Sequence, residues 1–231
     1  MAPAQDELKR AAARRAVDYV ASGTVVGLGS GSTVSPLLEL LGEALASGAL
    51  RDVRAVPTSE DTASRCRVLG VPLTTLDEHP RLALAIDGAD EIDPRLDLVK
   101  GLGGALLREK LVALAARRFV VIADTSKRVR KLGTRAPVPV EVVRFGWTTH
   151  LPFFERLGAT PALRRTADGE PFVTDEGHYI VDCRFARGIP DARAVARALA
   201  RRPGVVEHGL FLGMARVAVV AGPRGVAVLV R

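Results

Sequence analysis

Residues 24–33 read TVVGLGSGST, and this stretch decides the fold class of the chain. Its first half is a β-branched apolar run, which predicts a buried strand from Thr24 to Leu28. Its second half is rich in glycine and serine, and helical periodicity follows from Thr33 to Ala46. A strand that enters a glycine-rich loop and then a helix is typical of α/β proteins with a parallel sheet.

The same alternation extends from the beginning of the chain to about residue 130. We predict helices over 6–21, 33–46, 61–69 and 104–117, and strands over 24–28, 53–57, 82–86, 96–99 and 119–123. Continuous apolar strands between helices indicate a parallel sheet that is covered on both faces. From about Arg135 short strands, the first over 140–143 after Pro137 and Pro139, and two further helices, over 147–157 and 191–201, predict a smaller α+β subdomain. We expect the parallel-sheet domain to comprise 1–133 plus 205–231, and the subdomain to comprise 134–204.

The bulk composition narrows the function classes. The chain has 231 residues, 48% of them hydrophobic, which fits one domain with a subdomain. Its net charge is +7, but the basic residues are scattered and aromatics make up only 4%, so we expect no nucleic-acid partner. No apolar run is long enough to span a bilayer, and residues 1–15 lack the apolar core of a signal peptide. With only two cysteines, Cys66 and Cys183, expected as buried free thiols, we predict a cytoplasmic location and no membrane partner.

The loop after the first strand reads Gly27-Leu28-Gly29-Ser30-Gly31-Ser32-Thr33. Glycines let the backbone approach a ligand closely, and the N–H groups at a helix start attract anions. With hydroxyls from Ser30, Ser32 and Thr33, the loop predicts a cradle for phosphate or another oxyanion. A dinucleotide site is the main alternative, although the third glycine of G-x-G-x-x-G is missing, and a Walker-A loop is excluded because no lysine follows. A purely structural tight turn stays open.

Two further polar segments follow predicted strands. Thr58 and Ser59 end the second strand, where their hydroxyls can contact a substrate or cap the next helix. Four carboxylates occur among the seven residues from Asp87 to Asp93, directly after the strand over 82–86. This acidic block predicts either a metal site or paired acids that bind sugar hydroxyls and move protons, and the four histidines show no metal-ligand spacing. A solvated acidic turn is the third interpretation.

A second glycine-rich loop, Lys100-Gly101-Leu102-Gly103-Gly104, leads into a predicted helix that carries Glu109. Glu109 lies among leucines, and apolar surroundings make a carboxylate a better base near neutral pH. Its neighbours Arg108 and Lys110 fit an exposed glutamate equally well. The chain has only five lysines against 28 arginines, so Lys100 and Lys127 are candidates for chemistry that a guanidinium group cannot perform.

Together these segments resemble the ribose-5-phosphate isomerase family, type A. The matching features, in the family's order and spacing, are GLGSGST, Thr58-Ser59, DGADEID, KGLGGALLREK and Asp124-Thr125-Ser126-Lys127. The resemblance covers essentially the whole chain, and the acidic block together with the Lys-Gly block is highly specific. Leu102 departs from the glycine that many members carry, and we expect a small effect. Ser30 replaces a frequent threonine and keeps the hydroxyl.

The resemblance implies a Rossmann-like α/β domain with a smaller α+β subdomain. It implies interconversion of D-ribose 5-phosphate and D-ribulose 5-phosphate in the pentose phosphate pathway. Glu109 is implied as the catalytic base, Lys100 as the group that stabilises the developing oxyanion, and Asp87 and Asp90 as contacts to sugar hydroxyls that assist ring opening. Lys127 is implied at the phosphate end. The implied substrate-binding residues are Ser30, Gly31, Ser32, Thr33, Asp87, Gly88, Ala89, Asp90, Lys100, Gly101, Leu102, Gly103 and Lys127.

The implied chemistry requires no cofactor and no metal. Aldose–ketose isomerisation removes the C2 proton and returns it at C1 through a cis-enediolate, which requires one carboxylate base and a donor for the developing negative charge. The family implies a homodimer or homotetramer. A non-enzymatic sugar-phosphate sensor and an NAD-dependent oxidoreductase are the alternative functions.

Overall fold

The computed structural model describes residues 4–231, so residues 1–3 of the predicted first domain lie outside the described residues. The helices are α1 (Gln5–Val17), α2 (Ser35–Ala46), α3 (Glu60–Val68), α4 (Leu106–Ala115), α5 (Leu151–Arg156) and α6 (Ala192–Ala200). The strands are β1 (Val25–Leu28), β2 (Arg54–Pro57), β3 (Leu84–Gly88), β4 (Glu91–Ile92), β5 (Leu98–Val99), β6 (Phe119–Asp124), β7 (Val138–Val142), β8 (Thr160–Leu163), β9 (Tyr179–Arg184), β10 (Val205–His208), β11 (Leu210–Phe211), β12 (Val217–Gly222) and β13 (Gly225–Val230). Single 3-10 turns cover Thr125–Lys127 and Trp147–His150.

A six-stranded sheet with the order β13-β12-β6-β3-β1-β2 forms the centre of the first compact unit, residues 4–89, 108–128 and 213–231. Five of its strands are parallel, and β13 joins antiparallel to β12. β3 and β6 are buried along their whole length, as the apolar runs over 82–86 and 119–123 predict, and β12 is buried in the same way. This confirms the predicted α/β class. The strand order reverses between β1 and β3, because β2 lies on one side of this pair and β6 on the other. In such sheets a ligand binds outside the carboxyl ends of the strands at the point of reversal.

Side-chain caps mark the start of two helices, whereas α1 ends at Val17, four residues before the predicted end at residue 21. The Ser59 hydroxyl accepts a hydrogen bond from the Thr62 N–H and so caps α3, and Asp191 caps α6 through the Ala194 N–H. Pro36 lies in the first turn of α2, where a missing N–H costs no intrahelical bond. The apolar faces of α1 and α2 pack on β1 and its neighbours in one core.

The second compact unit comprises residues 90–107 and 129–212. It contains a four-stranded antiparallel sheet, β10-β7-β9-β8, and a short three-stranded sheet, β11-β5-β4. Phe154 of α5 and Leu199 of α6 pack against the apolar residues of β7 and β9. This confirms the predicted α+β subdomain as a class of structure. The boundaries 1–133 plus 205–231 against 134–204 stay a prediction.

Two details of the second unit differ from the predicted elements. The predicted strand begins at Val140, after Pro139, yet β7 begins at Val138 and contains Pro139, although prolines are rare inside sheets. The ladder with β10 reaches only to Val140, so Pro139 lies beyond the end of that pairing. The predicted helix over 147–157 is a 3-10 turn followed by α5, which has proline in its first turn. Within residues 4–231, no helix is both long enough and apolar enough to cross a membrane.

Candidate active site

Ser30 connects two buried carboxylates at the carboxyl end of the parallel sheet. Its backbone N–H donates to Asp87 Oδ1 over 3.2 Å, and its hydroxyl donates to Glu109 Oε1 over 2.7 Å. Asp87 and Glu109 expose only 3% and 5% of their surface. The glycine loop, the acidic block and α4 therefore meet within the first unit, although Ser30 and Glu109 are 79 residues apart in sequence.

The glycines of the first loop allow this close approach. Gly29 follows β1 and donates its N–H to the Ile86 carbonyl over 2.9 Å. A Cβ at residue 29 would overlap the Asp87 carboxylate, and one at Gly27 would overlap Val112 of α4. Gly31 has φ +83°, a conformation that side chains rarely adopt. The loop is thus closely fitted to its neighbours, and its role as an oxyanion cradle stays a prediction.

Glu109 is buried in α4, so the interpretation as an exposed glutamate is wrong. The neighbouring Arg108 forms an ion pair with Glu60 over 2.8 Å. This pair lowers the pKa of Glu60, and its exposed position makes it a weak contributor to stability.

The two hydroxyls after β2 have different roles. Ser59 is the helix cap described above, which confirms one of the two alternatives for this pair. Thr58 is 1% exposed, and its Oγ1 has no hydrogen-bond partner within residues 4–231. Thr62 Oγ1 donates to the Gly29 carbonyl over 2.9 Å and so ties α3 to the glycine loop. Thr58 does not cap the helix, and its contact with a substrate stays a prediction.

The acidic block divides into two kinds of carboxylate. Asp87 contacts the glycine loop, whereas Asp90 belongs to the second unit and accepts the Leu102 N–H over 3.0 Å. Glu91 is fully buried and accepts backbone N–H groups of a loop in its own unit, and Asp93 accepts those of its own turn. The donors to Glu91 are Gly133, Arg135 and Ala136. Glu91 and Asp93 are therefore structural, and the described residues contain no group of three or more His, Cys, Asp or Glu side chains arranged to hold a metal.

Lys100 is a buried ammonium group in the second unit. It is 2% exposed, its backbone N–H donates to the Gly209 carbonyl, and its Nζ lies 5.5 Å from the centre of the Phe211 ring. Gly101 in the following loop has φ +99°, and a Cβ there would crowd Leu106 at 2.8 Å. Leu102 is 43% exposed and has no positive φ, so this departure from the family pattern fits the loop without backbone strain. Gly103 is exposed.

Lys9 lies beside the first glycine loop, a position that the sequence patterns did not predict. Its Nζ donates to Ser32 Oγ over 3.2 Å, and its side chain is only 13% exposed. Lys9 also contacts the exposed Asp6. Its position brings a cation to the first glycine loop, where Gly31 and Ser32 are exposed to solvent. The one available signal was that Lys9 is among only five lysines in an arginine-rich chain.

Lys127 lies at the carboxyl end of β6, at the same edge of the sheet as the glycine loop. It ends a 3-10 turn that Asp124 caps by accepting the Ser126 N–H over 2.7 Å. Burial raises the pKa of Asp124, but hydrogen bonds from Ser126 and Gln5, with the charge of Lys127, outweigh it, and the pKa is lowered. The turn thus presents Lys127 beside an ionised carboxylate. Of the remaining predicted residues, Thr33 is half-buried beside Gly88, and Ala89 is buried.

The first unit combines an anion-attracting loop, lysines at the sheet edge and buried carboxylates joined through Ser30. Together with the parallel fold, these features define an α/β enzyme of the sugar-phosphate isomerase class. A family model described as ribose 5-phosphate isomerase A (phosphoriboisomerase A) matches residues 54–225. The chain belongs to the ribose 5-phosphate isomerase A family.

Relatives and solved structures agree with this membership. A ribose-5-phosphate isomerase A of Roseiflexus castenholzii is 58% identical over 221 residues, covering 96% of this chain and 94% of the relative. A probable chloroplastic ribose-5-phosphate isomerase 3 of Arabidopsis thaliana is 48% identical and covers 100% and 86%. A D-ribose-5-phosphate isomerase solved with phospho-erythronic acid superposes with a TM-score of 0.96 at 36% identity over 99% of this chain and 100% of that chain. The enzyme of Plasmodium falciparum gives a TM-score of 0.95 at 42% identity over 98% and 99%.

Proposed function

We propose that Glu109 is the base with which this chain interconverts D-ribose 5-phosphate and D-ribulose 5-phosphate. The activity is that of its family, an aldose–ketose isomerase of the pentose phosphate pathway. The observation that carries the choice of base is the Ser30 hydrogen bond to Glu109. This bond orients a carboxylate that is 5% exposed, at the sheet edge where the fold places ligands.

The proposed reaction moves one proton between adjacent carbons. Glu109 removes the proton from C2 of the open-chain aldose, the C–H electrons form the C1–C2 double bond, and the carbonyl electrons move to O1. Lys100 stabilises this negative charge and gives O1 a proton. In the second half the O2 hydroxyl gives its proton to the neutral Lys100 amine, the O2 electrons form the carbonyl at C2, and the electrons of the C1–C2 double bond take the proton from Glu109 at C1. Preorganised donors of this kind are typically worth about 3–4 kcal/mol.

The other predicted residues are proposed to bind and open the sugar. Asp87 and Asp90 accept hydrogen bonds from sugar hydroxyls and assist ring opening. The first glycine loop and Lys127 take the phosphate end, and we add Lys9 because its Nζ already contacts Ser32 of that loop. The second glycine loop, residues 101–103, completes the set of contacts predicted from the sequence.

A direct assay tests this function. Protein dialysed against a chelator, then mixed with ribose 5-phosphate, is expected to form ketose at an undiminished rate. The undialysed protein is the control. Absence of ketose formation in both samples would contradict the function, and loss on dialysis alone would contradict chemistry that needs no metal. A thermal shift produced by NAD would favour the oxidoreductase alternative.

We also propose a homo-oligomer in the cytoplasm, and β13 supports the first part. β13 is the outermost strand of the main sheet and contains no charged residue. Val226, Val228 and Val230 on it are 39%, 39% and 73% exposed. An apolar, uncharged edge strand is a template for pairing, and antiparallel pairing with its own copy closes as a twofold dimer.

The two cysteines support the proposed cytoplasmic location, where thiols stay reduced. Cys66 and Cys183 are buried free thiols, and burial raises the pKa of Cys66 to about 11.

Val228→Lys is expected to convert the oligomer into a smaller species. The buried ammonium groups of two paired edges would repel each other, and charged residues are a common protection of natural edge strands. Sedimentation velocity of the variant measures the change. Val68→Lys is the matched control, because Val68 is 84% exposed on α3, the helix that follows β2, and β2 forms the opposite edge of the sheet from β13. An unchanged sedimentation coefficient in Val228→Lys would show that β13 is not the interface.

Gly29→Ala is expected to lower kcat/KM by at least about 100-fold, since misplacing a reacting group by about 1 Å has effects of this size. The added methyl group would overlap the Asp87 carboxylate that accepts the Ser30 N–H. Steady-state kinetics and the melting temperature are measured together. Gly23→Ala controls for stability alone, because Gly23 has φ +76° in open space. Wild-type kinetics in Gly29→Ala would disprove the close fit of the loop.

A further inference from the structure

The side chain of Arg164 donates hydrogen bonds to two targets in the second unit. Its Nη1 donates to the carbonyl oxygens of Gly101 and Leu102, each over 3.0 Å. Its Nε and Nη2 donate to the two oxygens of Asp182 over 2.9 and 2.5 Å. The Arg164 side chain is 12% exposed. The guanidinium group of Arg164 thus joins β9 of the four-stranded sheet to the loop that follows Lys100.

Charged side chains bind both the N–H and the carbonyl group of Leu102 in this loop. The Leu102 N–H donates to Asp90 Oδ2 over 3.0 Å, while the Leu102 carbonyl accepts from Arg164. Hydrogen bonds in which one partner is ionised are roughly twice as strong as neutral ones. Since Gly101 has φ +99° and Gly104 has φ +88°, the intrinsic preference of the chain does not fix this loop. One hydrogen bond within the loop runs from the Gly104 N–H to the Gly101 carbonyl over 3.0 Å, and the contacts of Asp90 and Arg164 hold the loop from outside.

Phe172 supports the far end of the same loop. A Cβ at Gly104 would overlap the Phe172 ring, and that ring lies 5.8 Å from Arg164 Cζ. The Phe172 N–H donates to the Arg164 carbonyl over 2.9 Å, and the Arg164 N–H donates to Ile180 over 2.8 Å. The backbone of Arg164 is therefore fixed by Ile180 of β9 and by Phe172. Arg164 is a rigid support rather than a mobile surface arginine.

We propose that Arg164, oriented by Asp182, is a positioning residue for the isomerase reaction. It fixes the backbone directly after Lys100 and so holds the Lys100 ammonium group where negative charge develops. The proposal rests on the proposed role of Lys100. A lysine at residue 164 could not replace the arginine, because four directed bonds to a carboxylate and two carbonyls require the planar, forked guanidinium group.

Arg164→Lys and Arg164→Gln test the proposal by kinetics and by hydrogen exchange. We expect kcat to fall roughly 10- to 100-fold while the KM changes little, because misplacement affects the transition state more than substrate binding. We also expect the amides of residues 101–104 to exchange about tenfold faster or more, with no change of exchange in the strands of the four-stranded sheet. Arg165→Gln is the matched control, since Arg165 donates only to Gly169 at the surface.

The outcomes separate this proposal from the role of Lys100. If both Arg164 variants keep wild-type kcat and wild-type loop exchange, as in Arg165→Gln, Arg164 is not a positioning residue. If loop exchange rises but kcat is unchanged, the contact is structural and the proposal is overturned. If kcat and loop exchange change together in a folded Arg164→Lys, the proposal is supported. Wild-type kcat in Lys100→Ala would instead refute the role of Lys100, whatever the Arg164 variants show.

Discussion

Glu109→Gln lowers kcat by at least about 1,000-fold and leaves the KM for ribose 5-phosphate within about threefold, if Glu109 is the base. The amide has the shape of the carboxylate, and its oxygen can still accept the Ser30 hydroxyl at the position of Oε1. It cannot accept a proton from carbon. Binding is therefore preserved while the proton-transfer step is lost. Steady-state kinetics give the two constants, and calorimetric titration of the inactive variant with substrate measures binding separately.

The control for this variant is the same substitution elsewhere in the first unit. Glu60→Gln removes the carboxylate that pairs with Arg108 and is 66% exposed, so we expect wild-type kinetics. Glu109→Asp keeps the carboxylate but shortens the side chain by one methylene, so it tests the length of the side chain separately from its charge. We expect its activity to lie between those of the wild type and Glu109→Gln. A kcat near the wild-type value in Glu109→Gln would assign the base to another carboxylate, with Asp87 as the next candidate.

Lys100→Ala and Lys100→Arg each lower kcat by about 100- to 1,000-fold, the usual effect of removing one oxyanion donor. Alanine removes the charge. Arginine keeps it, but Lys100 is 2% exposed with its Nζ 5.5 Å from the Phe211 ring, so the larger planar group does not fit the same position. A guanidinium group also cannot give up a proton near neutral pH. Kinetics over a pH series, with melting temperatures, distinguish lost chemistry from lost folding.

Lys131→Arg is the matched control, because Lys131 is exposed and donates to the carbonyl of Arg187. We expect its kinetics to equal the wild type. Full activity in Lys100→Arg would mean that a fixed positive charge is sufficient and that Lys100 supplies no proton. Full activity in Lys100→Ala would remove Lys100 from the reaction.

The parallel sheet could be predicted from the sequence because its signal is local. The apolar runs that form β1, β3 and β6 are unbroken, and each is followed by a polar or glycine-rich turn. Such runs have no alternating solvent face, which is the property of strands buried on both sides. For the same reason, the glycine loops and the acidic block could be placed at the ends of strands from local sequence patterns.

The roles within the acidic block could not be predicted from local pattern. Asp87 and Glu91 look alike in sequence, yet Glu91 accepts backbone N–H groups from residues 42 or more positions away. Glu109 accepts the Ser30 hydroxyl 79 residues away, and Lys9 contacts Ser32 across 23 residues. Contacts of this kind are set by packing, so the choice among carboxylates came from the family resemblance rather than from spacing.

Proton NMR of ribose 5-phosphate in deuterium oxide tests the role of Glu109 most directly, because it observes the C2 proton itself. With the wild-type enzyme we expect the C2 signal to disappear as sugar passes through the enediolate and acquires deuterium. With Glu109→Gln at the same concentration we expect the C2 signal to persist, although the variant still binds the substrate. Exchange of the C2 proton by Glu109→Gln at a rate close to the wild type would show that another group removes it.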